Sequence, residues 1–154
     1  MTFNQLNDAP QAPEVVVTRD GSRTLQLAGG EGYKSLAGAL TEARLVYLEA
    51  SGVGARLRAG AACRVLEVGF GTGLNFLVTA TLAASTGTPL SYVGLELAPP
   101  PVEALESLGY RHLLAPSELP DVLLEWRRAL GPAPASGRHD LTHGNTRLSL
   151  HVTD

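Results

Sequence analysis

The run Glu67-Val68-Gly69-Phe70-Gly71-Thr72-Gly73-Leu74-Asn75 constrains this chain more than any other stretch. It lies between an apolar strand-like segment, Arg64-Val65-Leu66, and an apolar helix-like segment, Phe76-Leu77-Val78. A glycine turn from strand to helix is where α/β proteins bind nucleotide-like cofactors. The glycines allow a sharp turn and let a ligand approach the backbone closely. The helix N-terminus that follows offers unpaired N–H groups and a partial positive charge. Glu67, just ahead of the turn, points away from phosphate and towards a cofactor bearing hydroxyl or amine groups.

The pattern on either side extends this reading. Residues 1–13 are polar, contain Pro10 and Pro13, and read as a flexible arm. Glu14–Thr18 and Thr24–Leu27 read as strands around the Asp20-Gly21 turn, a β-hairpin. Leu36, Leu40, Ala43, Tyr47 and Ala50 recur at helical spacing, so the expected helix covers roughly 37–51 and ends at Ser51-Gly52-Val53-Gly54. The apolar run 63–68 reads as a strand buried on both faces. A helix follows to about Ser85, then a strand at 91–96 and a short helix near 101–108. Another helix carries Leu119, Val122, Leu123, Trp126 and Leu130, with Pro120 in its first turn. Finally, 139–142 and 146–152 flank Gly144-Asn145, and Leu148, Leu150 and Val152 alternate with polar residues as in a half-buried strand. The expected units are the arm, a hairpin-and-helix unit at 14–62, and an α/β unit from 63 to 154 that begins a doubly wound sheet.

Glu96 ends the strand after the glycine turn, 23 residues beyond Gly73. In Rossmann-type folds an acid there accepts hydrogen bonds from both ribose hydroxyls of a nucleoside. Glu67, the turn and Glu96 therefore form a three-part constellation. Two cofactor classes compete for it. Dinucleotides favour G-x-G-x-x-G, whereas here Leu74 and Asn75 follow G-F-G-T-G and the third glycine of that fingerprint is missing. S-adenosylmethionine lacks phosphate and carries an ammonium and a sulfonium, which an acid at the head of the loop suits. S-adenosylmethionine is the favoured cofactor, with a dinucleotide-binding oxidoreductase domain as the alternative.

Composition removes other classes. The 154 residues carry a formal net charge of -3, which gives no electrostatic case for nucleic-acid binding across the whole surface. Arg127-Arg128 and Arg138-His139 are small basic clusters of the kind usually solvated. Cys63 is the single cysteine and reads as an inert small hydrophobe; the four histidines have no partners at metal-ligand spacing, so no metal is expected. No segment approaches the ~20 apolar residues of a membrane span, and the N-terminus lacks a signal-peptide pattern, so the expected location is cytoplasmic. Trp126 falls on an apolar stripe and reads as core.

With these residues in view, the chain resembles the methyltransferase module of the tRNA 5-methylaminomethyl-2-thiouridine biosynthesis bifunctional protein family, in its stand-alone form. The family's loop, E-x-G-F-G-T-G-L-N-F-L, stands here as Glu67 to Leu77. Its tyrosine and serine before a G-L-E-E-T-R-Y-V-F-L-like helix correspond to Tyr33-Lys34-Ser35 and to Gly38 through Leu48. Tyr92 to Glu96 resembles the strand bearing the ribose-binding acid, and Leu148 to Asp154 a strand ending in Gly-Asp, with Thr153 in place of the glycine.

The resemblance implies a Rossmann-like class I S-adenosylmethionine-dependent methyltransferase fold, of which 63–154 is the first half. It also implies methyl transfer to the aminomethyl group of wobble uridine in tRNA. The implied cofactor residues are Glu67, Gly69, Phe70, Gly71, Thr72, Gly73, Asn75, Glu96 and, near the adenine, Asp154. Tyr33, Ser35, Glu42 and Arg44 are expected at the cofactor or substrate edge. The family's catalytic acid lies in a later strand, so the catalytic residues are expected beyond Asp154 and the chain by itself is expected to be inactive. With that half of the sheet missing, the strand at 64–68 has a bare edge, so the chain is expected to dimerise through this edge, to be disordered in part, or to belong to a longer chain. A truncated, non-catalytic binding module is the remaining alternative.

Overall fold

A computed structural model describes residues 12–153 of the chain. The arm expected at 1–13 lies outside the described residues except for its last two, and Asp154 lies outside them as well.

β1 (Glu14–Val17) and β2 (Arg23–Gln26) form an antiparallel hairpin with Val15 opposite Leu25. The Asp20 carboxylate organises its turn. It accepts hydrogen bonds from Thr18 Oγ1 (2.8 Å), Ser22 N (3.0 Å), Ser22 Oγ (2.5 Å), Thr41 N (2.8 Å) and Thr41 Oγ1 (2.8 Å). One side chain thus fixes the hairpin to the start of the next helix. Burial works to raise the Asp20 pKa, but these hydrogen bonds outweigh it and hold the carboxyl well below its usual range.

That next helix begins as α1 (Ala39–Glu42) and continues without a break as a π-helix (Ala43–Ala50). The spacing of Leu36, Leu40, Ala43, Tyr47 and Ala50 implied one buried face. Ala43 is buried, but Leu36, Tyr47 and Ala50 are exposed. The cause is the change of helix type: i→i+5 hydrogen bonding puts more residues in each turn, so residues at α-helical spacing drift off a common line. The helix ends at Ala50, next to the Ser51-Gly52-Val53-Gly54 stretch expected to end it. The left-handed Gly52 (φ 79°) then turns the chain into a further helix not expected from the pattern, α2 (Val53–Arg58), which buries Leu57 completely.

The main sheet has the order β3-β4-β6-β5. β3 (Cys63–Val68), β4 (Leu90–Glu96) and β6 (Thr146–Val152) run parallel, and β5 (Gly137–His143) pairs antiparallel with β6. α3 (Leu74–Thr86) connects β3 to β4 and supplies much of the core through Leu74, Phe76, Leu77 and Ala80. The return from β4 to β5 uses α4 (Val102–Glu106), a short α5 (Tyr110–Leu113) not expected from the pattern, and α6 (Leu119–Ala129). Trp126 packs against the core and donates from Nε1 to the Asp140 carbonyl (3.0 Å).

The apolar run at 63–68 is not buried on both faces. Leu66 and Val68 are 65% and 79% exposed: the pleat turns both to the same face of the sheet, and among the described residues little packs over that face at β3. The fold is α/β with a mixed sheet and an N-terminal antiparallel hairpin, the Rossmann-like class read from the sequence.

Candidate functional site

The glycine loop lies at the C-terminal end of β3. Gly69, Gly71 and Gly73 all adopt positive φ (80°, 53° and 77°), which side chains rarely tolerate. Gly69 N and Phe70 N both donate to the Leu95 carbonyl (2.9 and 3.0 Å), tying the loop to β4. Gly73 N donates to Phe70 O (3.0 Å), and Gly73 O accepts from Leu77 N (2.9 Å), which starts α3. Phe70 folds inward beneath the loop and packs on Phe76 and Tyr92, with ring centroids 6.0 and 6.5 Å apart. Room for it comes from Gly94 on β4, where an added Cβ would lie 2.6 Å from Phe70 Cδ2.

Above the loop and along β3 is a cavity of about 470 Å³. Glu67 lines it. Its Oε1 accepts from Asn75 Nδ2 (2.6 Å) and its Oε2 from Tyr92 OH (2.8 Å). Burial raises the Glu67 pKa; the two hydrogen bonds and the Lys34 charge oppose that, and the Glu96 charge adds to it. Asn75, the second residue of α3, has both ends of its amide engaged, because its Oδ1 accepts from Lys34 Nζ (2.7 Å). Lys34 also lies 3.8 Å from Glu42 Oε1 and 4.2 Å above the centre of the Tyr47 ring. Burial lowers its pKa, against the charges of Glu42 and Glu67.

Glu96 borders the loop rather than the cavity wall. Its Oε2 accepts from Gly71 N (2.6 Å), and its Oε1 from Leu97 N and Ala98 N (2.9 Å each). Three of its roughly four acceptor sites are therefore in use for holding backbone. Tyr33 covers the loop from the other side: a Cβ on Gly71 would lie 3.0 Å from Tyr33 Cδ1. Burial, then the Glu96 charge, raises the Tyr33 pKa.

Of the residues singled out in the sequence, Tyr33, Glu67, Gly69, Phe70, Gly71, Thr72 and Asn75 line this one cavity. Thr72 is buried, and its Oγ1 accepts from Tyr110 OH (2.8 Å). Gly73 is enclosed, with Leu123 and Phe70 carbons 3.0 and 3.1 Å from where its Cβ would be. Glu42 reaches the site through Lys34 and through Ser35 N, which donates to its Oε2 (2.6 Å). Ser35 itself is exposed, and Arg44 lines a separate depression with Leu45 and Val78.

Sequence reasoning missed Lys34, Tyr47, Tyr92 and Gly94 as parts of the site. Lys34 had one signal, being the only lysine in the chain. Tyr92 had another: it lies two residues from Gly94 and four from Glu96 on the same strand, whose alternation puts all three on one face.

The polar lining suits a ligand with an amine and hydroxyls. It offers the Glu67 carboxylate and the Lys34 ammonium, and a Cβ on Gly69 would meet nothing within 4 Å, so bare backbone faces open space there. Among the described residues, no group of three or more His, Cys, Asp or Glu could hold a metal. Nor is any helix among them long and apolar enough to cross a membrane.

No family model matches the chain. The tRNA 5-methylaminomethyl-2-thiouridine biosynthesis bifunctional protein MnmC of Burkholderia mallei (strain SAVP1) is 32% identical over 145 residues. The protein of that name from Burkholderia pseudomallei (strain K96243) is 31% identical over 148. Each match covers 90% of this chain, and the chain spans 22% of the length of each relative. The crystal structure of MNMC2 from Aquifex aeolicus shares the fold, with a TM-score of 0.64 and 21% identity over 96% of this chain and 44% of that one. Over 90% of its length, the chain is thus similar in sequence to one part of the tRNA 5-methylaminomethyl-2-thiouridine biosynthesis bifunctional proteins.

Proposed function

We propose that this chain carries the cofactor-binding part of an S-adenosylmethionine-dependent methyltransferase acting on the aminomethyl group of wobble uridine in tRNA. The observation that carries the reading is the glycine loop, which has Glu67 inside the cavity and Glu96 clamping the rim through Gly71 N. The tRNA part rests on the names of the relatives and on the sequence resemblance. Glu67, Gly69, Gly71, Thr72, Gly73, Asn75 and Glu96 hold the cofactor, and Phe70 supports the loop from below. Asp154 is assigned to the adenine side by resemblance alone, and Tyr33, Ser35, Glu42 and Arg44 to the edge. When bound, S-adenosylmethionine supplies an electrophilic methyl group. This chain's own contribution is positioning: the loop fixes one reactant, and catalysis by orientation needs little covalent chemistry from the protein. The acceptor amine must arrive neutral, and none of the described residues is assigned to take its proton. A cytoplasmic location goes with this reading. So does a homodimer across the free edge of β3, where Leu66 and Val68 are exposed; a monomeric mass by light scattering would count against the dimer.

Equilibrium dialysis with methyl-labelled S-adenosylmethionine tests the site. Wild type should retain label, and Glu96→Ala should weaken retention by about 1–3 kcal/mol, the usual cost of losing hydrogen bonds to a charged group. Unchanged retention would show the pocket to be elsewhere. Adding tRNA tests the division of labour: the label should stay on the cofactor, and robust transfer by this chain alone would show that it holds the catalytic part as well.

A further inference from the structure

We infer that Lys34 recognises the carboxylate of an α-amino-acid group whose ammonium lies at Glu67. The inference rests on reading the cavity as an S-adenosylmethionine site with Glu67 at the ammonium, and deepens it by assigning the carboxylate end to Lys34.

The geometry that carries it is the Asn75 amide. Its Oδ1 takes the Lys34 ammonium at 2.7 Å and its Nδ2 gives to the Glu67 carboxylate at 2.6 Å. One short side chain therefore holds a positive and a negative group at its two ends, and both groups line the cavity. An α-amino acid carries its two charges a similarly short distance apart, in the complementary order. Both groups have capacity left. An ammonium has three donors, and Lys34 makes one hydrogen bond and one ion pair that, at 3.8 Å, is too long for another. Glu67 uses two of roughly four acceptor sites.

Three further observations favour a ligand-facing Lys34. Its side chain is only 10% exposed, and burying an ammonium is costly without full pairing. It is the only lysine in the chain, and it follows the tyrosine whose ring covers Gly71. The π-helix puts the Tyr47 ring beneath it, a cationic contact at 4.2 Å that holds the head group at the cavity wall. Burial disfavours the charged form of both Lys34 and Glu67, so a zwitterion that neutralises each would relieve both.

The test is calorimetry on the full chain with two nucleosides. S-adenosylhomocysteine carries the amino-acid group; 5′-methylthioadenosine keeps the adenosine and the thioether and lacks it. Wild type should prefer S-adenosylhomocysteine. Lys34→Met should lose roughly ten- to a hundredfold in affinity for it, the scale of one charged hydrogen bond, and leave 5′-methylthioadenosine unchanged. Equal loss for both ligands, or none, would overturn the assignment. Should Lys34→Met fail to fold, wild type still decides the matter with S-adenosylhomocysteine lacking only its carboxylate. Tenfold weaker binding of that analogue supports the assignment, and equal binding overturns it. Binding of both nucleosides without preference sinks this inference alone, whereas binding of neither sinks the cofactor reading with it.

Discussion

Gly94 tests the link between the sheet and the loop. It lies mid-strand on β4, and its φ is not positive, so alanine there brings no backbone strain. What it brings is a clash. The new Cβ would stand 2.6 Å from Phe70 Cδ2, 3.1 Å from Cγ and 3.2 Å from Cβ. The last two atoms lie near the root of the side chain, so a rotation of the ring cannot relieve all three. Phe70 would have to retreat with its backbone, which is tied to Leu95 O through Gly69 N and Phe70 N. Overpacking of this kind costs about 1–3 kcal/mol. For a domain of this size that is a fall in Tm of roughly 2–4 °C per kcal/mol. A double-mutant cycle isolates the contact. Phe70→Ala in wild type should cost about 3–5 kcal/mol as a cavity. In the Gly94→Ala background it should cost less by about the clash energy, so the two changes should couple by about 1–3 kcal/mol. Urea melts followed by circular dichroism measure all four corners. Gly94→Ala within about 0.5 kcal/mol of wild type, or strictly additive losses, would refute the idea that this glycine exists to seat Phe70.

Asp20→Asn should destabilise the chain by about 1–3 kcal/mol, because it removes the charge that five hydrogen bonds point at and turns an amide N–H2 towards donors. The Asp20 carboxyl is held below its usual range, so its contribution is complete above the ordinary carboxylate pKa and is lost as pH falls through the native value. The stability gap between wild type and Asp20→Asn should therefore narrow on acidification, and a gap that widens in acid melts would contradict this. Arg127 is 2% exposed, makes one hydrogen bond to Pro100 O (3.0 Å) and leaves Nη1 without a partner. Arg127→Met should thus be neutral or stabilising in thermal melts, and a loss above about 2 kcal/mol would show an unrecognised partner for the guanidinium.

The sheet was legible because its strands are punctuated: glycine or proline turns bound 63–68 and 91–96, and alternation marks 146–152. In the region 39–58 the helix expected over roughly 37–51 was legible, but its buried face and the restart after Gly52 were not, since periodicity assumes an α-helix and the chain turns into a π-helix. The burial of 63–68 was misread for a different reason. An apolar run records which residues can be buried, but not whether a layer packs over each face of the strand to bury them, and Leu66 and Val68 remain open. In the site, the glycines and Glu67 were visible because motif spacing is local in sequence. Lys34, Tyr47 and Tyr92 were not, because Lys34 meets Asn75, Tyr92 meets Glu67 and Tyr47 meets Lys34 only between segments far apart in sequence.

Whether the cavity above the glycine loop takes S-adenosylmethionine is decided by calorimetric titration of the chain with S-adenosylmethionine and, separately, with NADH. Saturable binding of S-adenosylmethionine is expected, with weaker or no binding of NADH. Tighter binding of NADH would contradict this and return the loop to the dinucleotide-binding class.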